Sequence, residues 1–137
     1  MKISILLPYK ENFAPNYAGA VSLFLNDTIK LSKYKKNIQV YGNTSFKKKL
    51  LPNYTNLNFS KIFFRSSSKA YVKKFMDIEK IKKSNLIEIH NRPDYINSIY
   101  EINNNLVLYL FLILNIGDVT GPITSTFSKD DNIFLIF

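Results

Sequence analysis

The only imidazole in the chain, His90, stands in the run Glu88-Ile89-His90-Asn91-Arg92-Pro93-Asp94, flanked by two carboxylates, an amide and a guanidinium. These are hydrogen-bonding groups suited to sugar hydroxyls, and histidine is the one side chain here that can act as an ordinary base near neutral pH. The same run also reads as a structural histidine followed by the turn residues Asn91 and Arg92. A second segment with chemical promise is Tyr17-Ala18-Gly19-Ala20, which leads into a helical pattern beginning near Val21. Free N–H groups and the positive end of a helix attract phosphate, and glycine at position 19 lets a ligand approach the backbone closely. An ordinary loop-to-helix turn has the same composition. The segment is neither a G-x-x-x-x-G-K-[ST] loop nor a G-x-G-x-x-G fingerprint. With no cysteine, disulfides, zinc-thiolate sites and thiol catalysis are excluded, a reducing cytoplasm fits, and no metal site is expected.

The elements that must position these segments follow from hydrophobic periodicity. Ile3 to Pro8 is a continuous apolar run ended by proline, the pattern of a strand covered on both faces. From Gly19 to Lys33, Val21, Phe24, Leu25, Thr28 and Ile29 fall on one stripe of an amphipathic helix. Asn37 to Tyr41 alternates and stops at the turn pair Gly42-Asn43, and Leu57 to Phe64 is expected as a third strand. Ser66 to Ser68 offers N-caps for a helix reaching about Lys83, with Tyr71, Phe75 and Ile78 on its inner face. Leu86 to His90 is the next strand. Pro93 suits the first position of a short helix carrying Tyr95, Ile96, Ile99 and Tyr100 inward, and a strand from Leu106 to about Leu110 follows.

Strands alternating with helices predict an α/β fold, a doubly wound, mostly parallel Rossmann-like sheet with right-handed crossovers. Ligands in such sheets bind at the carboxyl ends of the strands. Both chemically promising segments, Pro8 to Ala20 and His90 to Asp94, are expected there.

At 137 residues the chain has the size of one domain. Its 46% hydrophobic and 21% charged residues are a globular composition. The first apolar run has five residues before Pro8, too few for a signal peptide, and the longest, Leu106 to Leu114, has nine where a membrane-spanning helix needs about 20. The expected location is therefore cytoplasmic, with peripheral contact at the inner face of the membrane.

The net charge of +9 comes from 17 Lys and only 2 Arg, Arg65 and Arg92. Phosphate and guanine recognition favours the guanidinium fork, so specific nucleic-acid binding is not expected. Richness in Asn and Ile points to A- and T-rich coding, which inflates lysine without functional demand. The charge is uneven: residues 1 to 85 carry 17 basic against 4 acidic groups, and residues 86 to 137 carry 2 against 6. The positive part can attract anionic lipid headgroups or phosphate-bearing ligands with low specificity.

Three stretches together carry a family resemblance: Met1-Lys-Ile-Ser-Ile-Leu-Leu-Pro, Tyr17-Ala-Gly-Ala-Val-Ser-Leu-Phe and Leu86-Ile-Glu-Ile-His-Asn-Arg-Pro. From Met1 to about Tyr109 the chain resembles the amino-terminal, acceptor-side domain of family 4 GT-B glycosyltransferases. In that family the loop after the first strand is glycine-rich and approaches the donor diphosphate and the acceptor. Gly19 and Ala20 match it, with alanine where a second glycine is usual. The strand ending in histidine lies beside the family's acceptor cleft, which implies His90, Asn91 and Arg92 as acceptor-binding residues. A later histidine, often taken as catalytically important, is replaced here by Leu110-Phe111-Leu112.

The resemblance implies sugar transfer from a nucleotide sugar to a sugar or glycolipid acceptor. The nucleotide sugar is a co-substrate normally held by a second domain, and no other cofactor is implied. Residues 1–109 are thus expected as the acceptor-side domain and 110–137 as a divergent tail, with a frameshift or gene break near Tyr109. Gly117 to Phe137 shows no helix of the family's sort, and its apolar end, Ile133 to Phe137, has no evident partner in the sequence. The alternative class is a non-catalytic basic α/β module that binds anionic membrane or phosphate-bearing ligands. Receiver and flavodoxin folds are disfavoured, because Pro8-Tyr9-Lys10 and Phe63-Phe64-Arg65 supply neither clustered acids nor a hydroxyl-rich phosphate loop.

Overall fold

The computed structural model describes residues 1–58, 66–100, 108–111 and 133–136. In chain order the elements are β1 (Ile3–Leu6), α1 (Ala20–Leu31), β2 (Ile38–Gly42), β3 (Tyr54–Asn56), α2 (Ser67–Lys82), β4 (Leu86–His90), α3 (Asp94–Tyr100), β5 (Leu108–Phe111) and β6 (Ile133–Ile136). The strands form one sheet in the order β3-β2-β1-β4-β5-β6, and every neighbouring pair is parallel. This is α/β architecture with the strand order of a Rossmann-like sheet.

Alternation along the strands divides the core between the two faces. Ile3, Ile5, Ile38 and Val40 pack with Val21, Leu25 and Ile29 of α1 on one face. Leu6, Tyr41, Ile87 and Ile89 pack with Tyr71, Val72, Phe75 and Met76 of α2, and with Tyr95, Ile96 and Ile99 of α3, on the other. The division follows from the handedness of crossovers. The connection from β1 to β2 runs one way along the sheet, and those from β3 to β4 and β4 to β5 run the opposite way. A fully buried ring such as Phe75 is worth roughly 3–5 kcal/mol against truncation to alanine.

Local signals account for most of the helix ends. The Ser66 hydroxyl accepts the Lys69 N–H at 3.2 Å, the N-cap bond of α2, and Lys83 closes that helix in the left-handed conformation at φ 51°. α2 is also fastened from inside. The buried Glu79 carboxylate accepts the Ser4 hydroxyl at 2.5 Å and the Ser84 N–H at 3.1 Å, while the two serine hydroxyls lie 2.8 Å apart.

Three expectations are corrected. The third strand is Tyr54–Asn56, earlier than the expected Leu57 to Phe64. Leu57 is a buried residue just past the strand, and residues 59–65 lie outside the described residues. Within α1, Phe24 and Thr28 are exposed while Ser22 and Asn26 are buried, so the stripe turned to the sheet is rotated toward a polar edge. The apolar end also has a partner. β6 pairs with β5 in the register Leu108↔Ile133 to Phe111↔Ile136. The rest of the expected tail, Gly117 included, lies outside the described residues.

Candidate site at the carboxyl edge

Strand order reverses between β1 and β4, where one chain of crossovers leaves in each direction. In parallel sheets the loops after such a pair of strands generally part, and ligands are taken between them. Register places Leu6 beside Ile89, so Pro8 to Ala20 and His90 to Asp94 issue from adjacent strand ends. Both segments singled out by their chemistry thus meet at one edge.

The two loops are tied together. Tyr95 on α3 accepts the Tyr9 N–H through its phenol oxygen at 2.9 Å, and the Tyr71 hydroxyl on α2 donates to the Leu7 carbonyl at 2.9 Å. The rings of Tyr9 and Tyr71 lie 5.4 Å apart and those of Tyr71 and Tyr95 6.1 Å apart. Burial pushes the Tyr71 phenol well above its ordinary pKa, helped by nearby Tyr95 and Tyr54. Burial also raises Tyr95, against the opposing bond from the Tyr9 amide. Both therefore stay neutral hydrogen-bonding groups.

The longer loop is pinned at several points. Phe13 and Ala14 are buried, the Phe13 ring stacks on Tyr54 at 5.2 Å, and the Phe13 carbonyl accepts the Leu50 N–H at 3.2 Å. Asn12 accepts the Thr44 hydroxyl at 3.2 Å. Lys10 and Asn16 both sit in the left-handed region, at φ 69° and 68°, a conformation that asparagine tolerates and lysine adopts at a cost of about 1 kcal/mol. Tyr17, 60% exposed, stacks on Phe46 with ring centroids 4.3 Å apart and planes 8° from parallel.

Gly19 is the N-cap of α1, in extended backbone, with no side-chain cap of its own. The close approach that glycine permits is used by the chain itself. A Cβ on Gly19 would stand 2.4 Å from Oε1 of Glu11, and that same oxygen accepts the Ser22 N–H at 3.2 Å. A carboxylate thus occupies the positive end of α1, where an anionic ligand was expected. Ala20, the neighbouring residue of the expected loop, is exposed.

His90 is enclosed. Its side chain has no solvent exposure, its Nε2 lies 2.5 Å from Oε1 of Glu88, and its ring centroid is 6.0 Å from that of Phe24 on α1. Residues 88 and 90 share the α1 face of β4, opposite Ile87 and Ile89. In this arrangement the imidazole holds the end of β4 against α1 rather than presenting a base to solvent. The edge presents Asn91 and Arg92 instead, the first exposed and the second half-buried. Asn91 also makes the turn after β4 in the left-handed region at φ 52°.

Sequence reasoning missed Glu11, Tyr9 and the Tyr17–Phe46 stack. Glu11 meets Ser22, 11 positions along the chain and inside the first turn of α1, a pairing with no periodic signature. Tyr95 was legible only as an inward-facing residue of α3; its second task as acceptor for Tyr9 was not. Among the described residues no group of three His, Asp or Glu side chains is arranged to hold a metal ion, and no helix is long and apolar enough to cross a membrane. Comparison of the chain with protein-family models, with curated proteins and with solved structures returns no match.

Proposed function

We propose that the crevice between the ends of β1 and β4 receives a sugar-bearing acceptor, in the manner of the acceptor-side half of a GT-B glycosyltransferase. The observation that carries this reading is the convergence of Pro8 to Ala20 and His90 to Asp94 at one strand-order reversal, joined by the bond between Tyr9 and Tyr95. Asn91, Arg92 and Asp94 offer amide, guanidinium and carboxylate to hydroxyl groups, and the exposed Tyr17 ring, stacked on Phe46, adds an aromatic surface to the loop that leads into α1. Glu88 and His90 act beneath as positioning residues.

In the proposed reaction the acceptor hydroxyl oxygen bonds to the anomeric carbon of a nucleotide sugar. The bond from that carbon to the diphosphate breaks, and the nucleoside diphosphate leaves with the electron pair and takes up the proton of the acceptor hydroxyl. The family's grip on the diphosphate belongs to a second domain, so these 137 residues are expected to bind acceptor without transferring sugar. Saturation-transfer NMR against a panel of mono- and disaccharides tests the reading. Binding that falls with Arg92→Ala and Asn91→Ala supports it. Absence of binding to every saccharide sinks it, and sugar release from a nucleotide sugar by the purified chain overturns the division of labour.

A further inference from the structure

At the opposite, amino-terminal edge of the sheet lies a cavity of about 400 Å³, within the roughly 300–1,000 Å³ span of small-ligand sites. It is lined by Ile29 and Lys30 from the last turn of α1, Lys35 and Lys36 from the turn before β2, and Leu51 to Asn53 before β3. Ile29 and Leu51 are core residues, so the cavity opens directly onto the apolar packing of the α1 face. Its polar wall is already engaged. The Asn53 side chain donates to the Ile38 carbonyl at 2.8 Å, and the Asn53 carbonyl accepts the Val40 N–H at 2.9 Å.

What remains uncommitted is cationic. Among the described residues none of Lys30, Lys35 and Lys36 has a carboxylate partner, because the ion pairs there are Lys73 with Asp77 and His90 with Glu88. The negative end of α1 suits Lys30 in its last turn, but Lys35 and Lys36 lie beyond the C-cap Ser32. Asp27, one turn earlier, accepts the Asn26 amide at 2.9 Å and does not line the cavity. An apolar floor edged by three lysines matches a molecule with an apolar body and an anionic head.

We propose that this cavity binds a single amphiphile carrying a phosphate or carboxylate head, its chain on Ile29, Leu51 and Pro52 and its head between Lys30, Lys35 and Lys36. The site is separate from the carboxyl-edge crevice and stands whether or not that crevice takes sugars. Titration with dodecyl phosphate below its micelle concentration, read by amide NMR, is expected to saturate at one molecule per chain and to shift residues 29–36 and 51–53. Lys35→Glu with Lys36→Glu should weaken binding roughly tenfold or more, since two charge-assisted contacts are lost. Lys69→Glu with Lys74→Glu, on exposed positions of α2, should leave it unchanged. Equal binding of dodecyl maltoside would reduce the site to a greasy surface, and equal binding of inorganic phosphate would reduce it to loose charge attraction. Binding to anionic phospholipid vesicles but not to the monomeric amphiphile would identify a membrane-docking surface instead. Each of these three results, like the absence of saturable binding, overturns the proposal.

Discussion

The Glu11 carboxylate reaches 11 residues along the chain to accept the Ser22 N–H at 3.2 Å, and so supplies α1 with the cap that Gly19 cannot. A charge placed there complements the helix dipole. Glu11→Gln retains the shape and removes the charge, so stability in urea should fall by about 0.3–1 kcal/mol. Glu11→Ala should in addition free the first-turn amides for inorganic phosphate, detectable as amide shifts at residues 20–22. Unchanged stability together with unchanged phosphate binding would deny Glu11 this role.

Gly19 and Glu11 should behave as one unit. A methyl group at position 19 meets the carboxylate at 2.4 Å, a clash relieved only if the Glu11 side chain swings away. Gly19→Ala should therefore destabilise the protein in the presence of Glu11 and do so much less in a Glu11→Ala background. A double-mutant cycle from urea midpoints measures this, with a coupling of about 0.5 kcal/mol or more expected. Additive effects would mean that the two residues do not interact.

The Ser4, Glu79 and Ser84 cluster joins β1 to the end of α2 inside the protein. Ser4→Ala leaves one oxygen of a buried carboxylate short of a donor, and a loss of about 1–3 kcal/mol is expected in chemical denaturation. Lys73→Ala breaks the pair with Asp77 at 2.9 Å, about half exposed on both sides, and should cost under about 1 kcal/mol. A larger loss at Lys73 than at Ser4 would reverse this ranking of buried over exposed polar contacts.

Three tyrosines set an alkaline limit. Burial pushes Tyr54 up to about 12 despite its bond from the Thr44 N–H, and it raises Tyr71 and Tyr95 as well. A folded pKa above the unfolded value near 10 means that above pH 10 the unfolded chain holds fewer protons than the folded one. Their contribution is complete below pH 10 and is lost as pH climbs toward 12. Tyrosinate absorbance should rise cooperatively with loss of circular dichroism, and Tyr54→Phe should move the transition upward. Smooth titration of all nine tyrosines near pH 10 with the fold intact would contradict this.

Glu88 and His90 should also be coupled. Glu88→Gln removes the carboxylate from the buried imidazole, and the ring nitrogen shifts of His90 should change in NMR without solvent access to the ring. Exchange of the ring with solvent in the unsubstituted protein would show that this enclosure is open.

How much of this could be read in advance depended on the range of the interaction involved. The apolar runs of β1 and β4, the serine cap of α2 and the inward face of α3 are set by neighbours within a turn or a pleat, and periodicity exposed them. β3 escapes periodicity because Tyr54–Asn56 is only three half-buried residues, too short for alternation to register beside a more apolar stretch of sequence. Phe24 and Thr28 share a stripe with Val21, Leu25 and Ile29 on a helical wheel, which cannot tell which edge of an apolar face meets the sheet. Packing of Val21, Leu25 and Ile29 on β1 and β2 decided that, with Ser22 and Asn26 buried instead.

The α/β class, the sheet-facing runs and the two loops rich in hydrogen-bonding groups are legible in the order of residues alone. Local sterics and hydrophobic spacing carry that information. It took the folded chain to show that these loops issue from neighbouring strands, that Glu11 rather than a ligand faces Gly19, that His90 is enclosed by Glu88 and Phe24, and that β6 finds β5. Each of these joins residues far apart in the chain or across a loop of irregular shape. Their contact energies appear only once the strand order has brought them together.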